Sequence, residues 1–374
     1  MTDLGRRDLL HVGGLLTLAA ATGSTPAAAA PVQPGLEPAR LSLNENPFGP
    51  SPAVRRALLD EVGRVDRYGD PAAASDLVAQ IAALENVAPE QVVLGEILEA
   101  LGLHLAARAP AGGRFVYSLP GFTELVDAAR PLGAVGVGVP LDAALANDLP
   151  ALSRAVVGDT RVVYLVNPHN PSGTMNPPAA FDAFIADISR RTLVIVDEAY
   201  LDYDDMALSA VRFTRAGANV AVFRTLDKIH GMAGLPIGYT LAPRGLADAL
   251  HGEGFGDSHV LGRLALAAAS AALSDEAWVA SVRTRTLAGR ARLTAALDRL
   301  GLQHSDSRAN FVFFRSPVPA AGLRQQLAQH GILVGRAFPP LDEWIRVSIG
   351  TENETTRAIT ALHAVLGAGR TRHA

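Results

Sequence analysis

Of the 33 lysine and arginine residues in this chain, one is lysine, Lys228. Arginine serves wherever only a positive charge is wanted, but it stays protonated in proteins. Lysine can give up its proton and act as a nucleophile or form a Schiff base. A chain that uses arginine everywhere else and keeps a lysine at one position points to amine chemistry at Lys228. The competing reading is a surface lysine left by chance, the commoner use of that residue. The residues that could work with an amine are carboxylates, hydroxyls and flat rings delivered to the same place. Candidates are Asp197 and Tyr200 in the run Val196-Asp197-Glu198-Ala199-Tyr200, Asn170 in Asn167-Pro168-His169-Asn170-Pro171, and Phe122 in Pro120-Gly121-Phe122.

The elements that must position these residues are short apolar runs. Arg161–Val166 precedes the Asn170 segment, Leu193–Val196 precedes Asp197, and Asn219–Phe223 precedes Arg224-Thr225-Leu226-Asp227-Lys228. Continuous Val/Ile/Leu runs separated by helical stretches predict a mostly parallel sheet covered by helices on both faces, an α/β fold. Ligands of such sheets bind outside the carboxyl ends of the strands. The three runs would therefore bring Asn170, Asp197 and Lys228 to one edge. A helix is expected from Pro52 to about Gly63, and a helix-rich stretch from about Asp257 to Leu300. A smaller α+β domain follows, with strands at Asn310–Phe314, Ile332–Val334 and Trp344–Ser348, and helices at Ala320–His330 and about Glu352–Leu366.

At 374 residues the chain exceeds one ordinary core, so two domains are expected. Residues 1–30 read as a leader, 31–70 as an N-terminal arm joined to the small domain, 71–270 as the large domain and 271–374 as the small one. In the leader, Arg6-Arg7 is followed by a mild apolar stretch, Val12–Ala21, and by Ala27–Ala30, the order of a twin-arginine export signal. The stretch is shorter than the ~20 residues that cross a bilayer, so no permanent anchor is expected. This predicts an exported protein, periplasmic or extracytoplasmic. The net charge of −4 and the lack of a basic run argue against nucleic acid as a partner. There is no cysteine, hence no disulfide and no thiol chemistry.

An amine at Lys228 beside a carboxylate at Asp197 suits pyridoxal phosphate. That cofactor needs a lysine for its Schiff base and a carboxylate at the pyridine nitrogen, so that the ring can act as an electron sink. Asn170 and Tyr200 can serve the ring hydroxyl, and Phe122 can stack on the ring. The segments LNENPFGP, RYGDP, NPHNPSGT, VDEAY, RTLDKIHGMAGLPIGY, ANFVFF and WIRVSIGT, spread from Leu43 to Thr351, resemble the fold type I pyridoxal phosphate aminotransferases, most of all the histidinol-phosphate aminotransferases. The resemblance implies an aspartate aminotransferase-like fold with a seven-stranded-type sheet. It also implies pyridoxal phosphate as cofactor, and an amino acid and a 2-oxo acid as substrates. It gives Lys228 the Schiff base and the proton shuttle, Asp197 the ring nitrogen, Asn170 and Tyr200 the ring oxygen, and Phe122 the stack. Arg346 would take a substrate carboxylate, with Asn46 and Asn310 further candidates on the substrate side. Tyr68 would reach into the neighbouring subunit's site of a homodimer.

The phosphate seat departs from that pattern. Asp227 stands where the family has serine, Pro236 where it has arginine, and Gly95-Glu96-Ile97-Leu98-Glu99-Ala100 replaces its loop of backbone donors. Thr225 and the amides around Leu98 and Glu99 remain as donors, with Arg224 next door. Two unit charges ~4 Å apart at an effective dielectric of ~20 interact by about 4 kcal/mol, so one misplaced carboxylate weighs heavily on a dianion. Three arrangements follow. Arg224 or a partner arginine could hold the phosphate, Asp227 could be protonated or turned away, or the cofactor chemistry could be weakened or lost. On the substrate side, Arg336 in Val334-Gly335-Arg336 replaces the family's Val-Arg. Alongside transamination stand other reactions of the same cofactor (racemisation, elimination, oxidation) and a non-catalytic ligand-binding descendant.

Overall fold

The computed structural model describes residues 37–367. The expected leader, with Arg6 and Arg7, lies outside the described residues. In chain order the strands are β1 (Ala39–Leu41), β2 (Val92–Leu94), β3 (Arg114–Leu119), β4 (Val135–Pro140), β5 (Thr160–Val166), β6 (Leu193–Asp197), β7 (Val220–Thr225), β8 (Gly238–Leu241), β9 (Phe311–Arg315), β10 (Ile332–Val334) and β11 (Trp344–Ser348). The helices are α1 (Pro52–Glu61), α2 (Pro71–Glu85), α3 (Leu98–Ala107), α4 (Glu124–Ala129), α5 (Leu149–Ala155), α6 (Pro178–Ile188), α7 (Val211–Arg215), α8 (Arg244–Gly252), α9 (Arg263–Leu273), α10 (Glu276–Arg299), α11 (Ala320–Gln329) and α12 (Glu352–Gly367).

Seven strands form one sheet in the order β2-β8-β7-β6-β5-β3-β4. Each neighbouring pair from β7 to β4 is parallel, and β8 runs antiparallel to both β7 and β2. The uninterrupted apolar runs are explained by burial on both faces. Val163, Leu165, Val194, Val196, Val220 and Val222 feed one core, packed by α1, α2, α6 and α9. Their alternating neighbours Val162, Tyr164, Val166, Ile195, Ala221 and Phe223 feed the other, packed by α3, α4 and α8. The period-2 geometry of a strand sends successive side chains to opposite faces, so a strand with two cores is apolar at every position.

Two of the runs extend further than the sequence suggested. β6 includes Asp197, which stays in register with Val166 and Phe223. β7 continues through Arg224 and Thr225, which pair with Tyr239 and Gly238 of β8. The carboxylate and the threonine are therefore fixed by the sheet ladder rather than carried on a loop. The helix expected to reach Gly63 ends at Glu61, and Val62–Arg64 tightens into a 3₁₀ turn. Ser51 caps α1 by accepting from the Val54 amide, and Pro52 occupies its first turn, where no N–H is needed.

The remaining strands build a separate layer. β9 and β11 pair antiparallel, β1 pairs parallel with β10, and α10, α11 and α12 cover them around a third core that includes Leu293, Val312, Phe314, Leu323, Ile345 and Leu362. The arm residues Ala39–Leu41 thus join strands formed some 290 residues later in the chain. No helix among the described residues is long and apolar enough to cross a membrane.

Helix α3, which opens at the carboxyl edge of the sheet, is set by its contact with α4. A Cβ placed on Gly102 would lie 2.1 Å from the Leu125 carbonyl oxygen. Helix propensity alone would reward Gly102→Ala by about 1 kcal/mol. The collision outweighs it, because overpacking costs ~1–3 kcal/mol and here the obstacle is backbone. Gly102→Ala should therefore lower the denaturant midpoint relative to wild type; a raised midpoint would show that α3 slides freely on α4.

Candidate active site

The carboxyl edge of the sheet holds a cavity of about 360 Å³. Strand order arranges its wall. Glu96 follows β2, Thr225, Asp227 and Lys228 come from the end of β7, Asp197 and Tyr200 from the end of β6, Asn170 from the loop after β5, and Phe122 and Glu124 from the segment after β3. Leu98 and Glu99, in the first turn of α3, complete it. All the residues expected around the cofactor (Asn170, Asp197, Tyr200, Thr225, Lys228, Phe122, Leu98 and Glu99) thus meet at one cavity.

Asp197 is buried and held from two sides. The Tyr164 hydroxyl donates to Oδ2 at 2.9 Å and the Ala199 amide donates to Oδ1 at 3.0 Å. Burial pushes its carboxyl up to about 6, while the Ala199 amide, the Tyr164 hydroxyl and Lys228 pull it back. Tyr164 was missed in the sequence; the signal was a tyrosine set inside the Val/Leu run Val162–Val166. Tyr200 Oη accepts from Asn44 Nδ2 at 3.0 Å and from Asn170 Nδ2 at 3.4 Å. Its own hydrogen is left free for a further acceptor. Asn44, also missed, sits in the left-handed region at φ 57°, and its backbone N–H donates to Ser348 Oγ.

The residues expected on the substrate side are placed differently. Arg346 is buried in β11, donating through Nη1 to Asn170 Oδ1 at 2.5 Å and through Nη2 to the Ser42 carbonyl at 2.8 Å; its Nε is buried without a partner. It lies over the Phe311 and Phe338 rings, and burial lowers its guanidinium to about 10. Asn46 and Asn310 use their amides on the chain itself. Asn46 Nδ2 donates to the Ile229 carbonyl at 2.7 Å and Asn310 Nδ2 to the Asn44 carbonyl at 2.9 Å, which ties the arm down. Neither lines the cavity. Tyr68 is 77% exposed, against His259, and is also outside the cavity wall of its own chain. Arg336 is exposed, beside the Phe338 ring.

The electrostatics are lopsided. Glu96, Glu99, Glu124, Asp197 and Asp227 line the cavity, and among the described residues Lys228 is its one cation. Glu96 is exposed as a residue, but its carboxyl lines the cavity, where desolvation lifts it to about 8, opposed by Thr225 and Lys228 and reinforced by Asp227 and Asp197. Burial likewise raises Glu124, with Glu99 adding to it, and raises Asp227 against the pull of Lys228 and Thr225. At Lys228 burial favours the neutral amine, but Tyr200, Asp227, Glu96 and Asp197 together hold the ammonium above its usual range.

Arg224 cannot serve the phosphate seat. Its side chain leaves β7 away from the cavity, donating through Nε to Glu198 Oε2 at 2.9 Å and through Nη1 to Asp202 Oδ1 at 3.4 Å, with Glu85 3.9 Å away. The period-2 strand rule gives the reason: neighbours on β7 face opposite ways, and Thr225 faces the cavity. Asp227 is not turned outward either. Its Oδ1 is buried without a partner, and its amide donates to Thr225 Oγ1 at 3.0 Å. The residues at the ring end fit pyridoxal phosphate. Those at the phosphate end do not: an orphaned carboxylate oxygen calls for a donor, and the wall offers further carboxylates instead. Replacing Arg224 by leucine would leave the Glu198 carboxylate buried without a charge partner, held only by the Ser209 hydroxyl and the Ala210 amide, at a cost of about 3–5 kcal/mol. Arg224→Leu should lose that much in an unfolding titration, and a near-neutral result would contradict the ion-pair assignment.

Comparison with known proteins agrees with this architecture. Residues 37–362 match the aminotransferase class I and II family. A histidinol-phosphate aminotransferase of Limosilactobacillus fermentum is 36% identical over 325 residues, covering 85% of this chain and 88% of the relative. The crystal structure of histidinol-phosphate aminotransferase from Sinorhizobium meliloti in complex with pyridoxal-5'-phosphate superposes with a TM-score of 0.81 at 28% identity, covering 98% of this chain and 96% of that one. Aspartate aminotransferase from Thermotoga maritima shares the fold, with a TM-score of 0.79 at 17% identity over 98% of each chain. The seven-stranded sheet, the cavity at its carboxyl edge and these similarities together place the chain in the class I and II aminotransferase family, as a pyridoxal phosphate-dependent aminotransferase of the aspartate aminotransferase-like fold.

Proposed function

We propose that this chain moves an amino group between an amino acid or related amine and a 2-oxo acid, with Lys228 as the amine that carries the cofactor and then shuttles the substrate's α-proton. The observation that carries this reading is the meeting of Lys228, Asp197, Tyr200 and Asn170 at one cavity. When bound, the cofactor supplies an electron sink for a carbanion at the substrate's α-carbon. Asp197 can face a ring N–H while Tyr164 and Ala199 keep its orientation. Tyr200, which already accepts from two amides, has its proton to give to a ring oxygen. Phe122 offers a flat face. For Lys228 to accept a proton it must first be a neutral amine, and the surrounding carboxylates work against that until a ligand alters the field.

Arg346 supports the substrate side of the reading. Its fork lies one hydrogen bond behind the cavity wall, at Asn170, and its unpartnered Nε leaves a donor for a carboxylate. A homodimer is supported by the exposed apolar side chains Leu59, Val62, Val65, Tyr68 and Val260. The Tyr68 ring lies 5.8 Å from that of His259, so the 65–68 and 259–260 segments adjoin on that face. Export is supported by Arg6-Arg7 and the apolar run after them. It argues against histidinol phosphate, a cytoplasmic biosynthetic intermediate, as the substrate here. Retention of the native protein in the cytosol would refute the export reading.

Release of 2-oxo acid from a panel of amino donors, followed on purified chain supplied with pyridoxal phosphate, tests the reaction. Loss of a nucleophile that is also the acid–base group should lower turnover in Lys228→Ala by roughly 10³-fold or more. Losing charge-assisted hydrogen bonds of about 1.5–3 kcal/mol, Arg346→Gln should raise KM for the amino donor by roughly 10- to 100-fold. Inversion or elimination without amino-group exchange would instead assign the site to another reaction of the same cofactor.

A further inference from the structure

We propose that a second cavity, which shares no lining residue with the active site, binds an apolar α-amino acid as its zwitterion. The inference does not depend on the chemistry at Lys228. This cavity measures about 330 Å³ and lies where three segments meet: the loop after β5 as it enters α6, residues 204–208, and the loop before β9. That volume, at the lower end of the ~300–1,000 Å³ of small-molecule pockets, suits a single amino acid.

Two amide side chains on the wall call for donors. Asn167 is 3% exposed, yet its Oδ1 has no hydrogen-bond partner. Asn176 donates through Nδ2 to the Asn147 carbonyl at 2.8 Å, which fixes its amide plane and leaves its own buried Oδ1 without a partner as well. A buried acceptor left unpaired is costly, so two on one wall favour an occupant that brings N–H groups. The rest of the wall is apolar: Met175, Pro177 and Phe181 on one side, Met206 and Leu208 on the other. Met206 and Leu208 are exposed there and would gain cover from an occupant. Water could serve the amide oxygens, but it gains nothing from the apolar surface around them.

The charges on the wall set the polar end of the ligand. Arg308 Nη1 lies 3.4 Å from Asp204 Oδ2, and Nη2 lies 3.4 Å from Asp306 Oδ2, both at the long limit of a hydrogen bond. The Arg308 side chain is half-exposed and able to turn to a ligand, whereas that of Asp204 is largely covered. The other cation, Arg212, is already engaged by Asp182 and by the Leu208 and Ser209 carbonyls. An α-amino acid carries its ammonium and its carboxylate on one carbon, a spacing close to that of Asp204 and Arg308. It can pair with both while its ammonium also serves the amide oxygens. A simple amine would leave Arg308 without a new partner, and a simple carboxylate would bring the amides no donor. The occupant would lie behind the loop that presents Asn170 to the active cavity: Asn167 opens that loop, and the Arg308 backbone N–H donates to its Gly173 carbonyl at 2.7 Å.

The test is equilibrium dialysis of labelled L-phenylalanine against the full chain, treated with pyridoxal phosphate and reduced with borohydride so that no turnover occurs. Saturable binding with a Kd of roughly 1 mM or tighter is expected. 2-Phenylethylamine, which lacks the carboxylate, and 3-phenylpropanoate, which lacks the ammonium, should each bind at least about tenfold more weakly, through loss of charge-assisted hydrogen bonds. Ala207→Trp, which fills the cavity, should abolish the binding, and Arg346→Gln, at the active site, should retain it. If the tryptophan variant folds poorly, Arg308→Met keeps the test: it should weaken phenylalanine about tenfold or more and leave 2-phenylethylamine unaffected. Absence of saturable binding up to ~10 mM, far above the Kd a ligand of this size should reach, would overturn the proposal. Binding retained in Ala207→Trp but lost in Arg346→Gln would also overturn it, by placing the amino acid in the active site. Equal binding of the three probes would do so too, because the polar wall would then contribute nothing.

Discussion

The structure depends on keeping a carboxylate in place at the end of a strand buried on both faces. Asp197 closes β6, inside the ladder, where burial alone would favour its neutral form. The hydroxyl of Tyr164 from the neighbouring strand, the amide of Ala199 and the ammonium of Lys228 oppose that tendency. Each comes from a different segment, and the parallel ladder brings their ends to one edge. The two cores above and below β5, β6 and β7 therefore do more than stabilise the sheet. They fix the register that sets the geometry of the site.

Around that pair the cavity is overfilled with acid. At an effective dielectric of ~20, like charges ~4 Å apart repel by about 4 kcal/mol, and a protein avoids that cost by protonating one of them. The upward shifts at Glu96 and Glu124 share this origin with burial, whereas that at Asp227 comes from burial alone. Arg224, the nearest arginine in sequence, gives no relief, because it neutralises Glu198 on the far side of β7. The ring end of the site and its phosphate end thus follow different logic within one cavity.

Much of this was legible in the sequence. The aliphatic runs before Asn170, Asp197 and Lys228 gave the parallel sheet and the edge where its ligands bind, because a strand with two buried faces leaves a continuous apolar signature. What periodicity could not give was the exact end of each run. Asp197 and Thr225 belong to the ladder, since a strand end is set by its neighbour's length as much as by its own residues. Arg224 was ambiguous for the same reason: which face it takes depends on a register of one residue. Tyr164, Asn44 and Glu124 were missed because their roles arise from contacts between segments tens to hundreds of residues apart. Asn46 and Asn310 were read toward the substrate, whereas the structure spends their amides on the arm. An amide side chain serves backbone or ligand equally well, and residue type does not say which.

The account's central claim is that the amine of Lys228 is the group that bonds the cofactor. The most direct measurement is reduction of the pyridoxal phosphate-treated native protein with borohydride, followed by peptide mass mapping. The account predicts a single added phosphopyridoxyl group on the peptide that contains Lys228. Recovery of that peptide unmodified, with the added mass absent or confined to the chain's amino terminus, would contradict it.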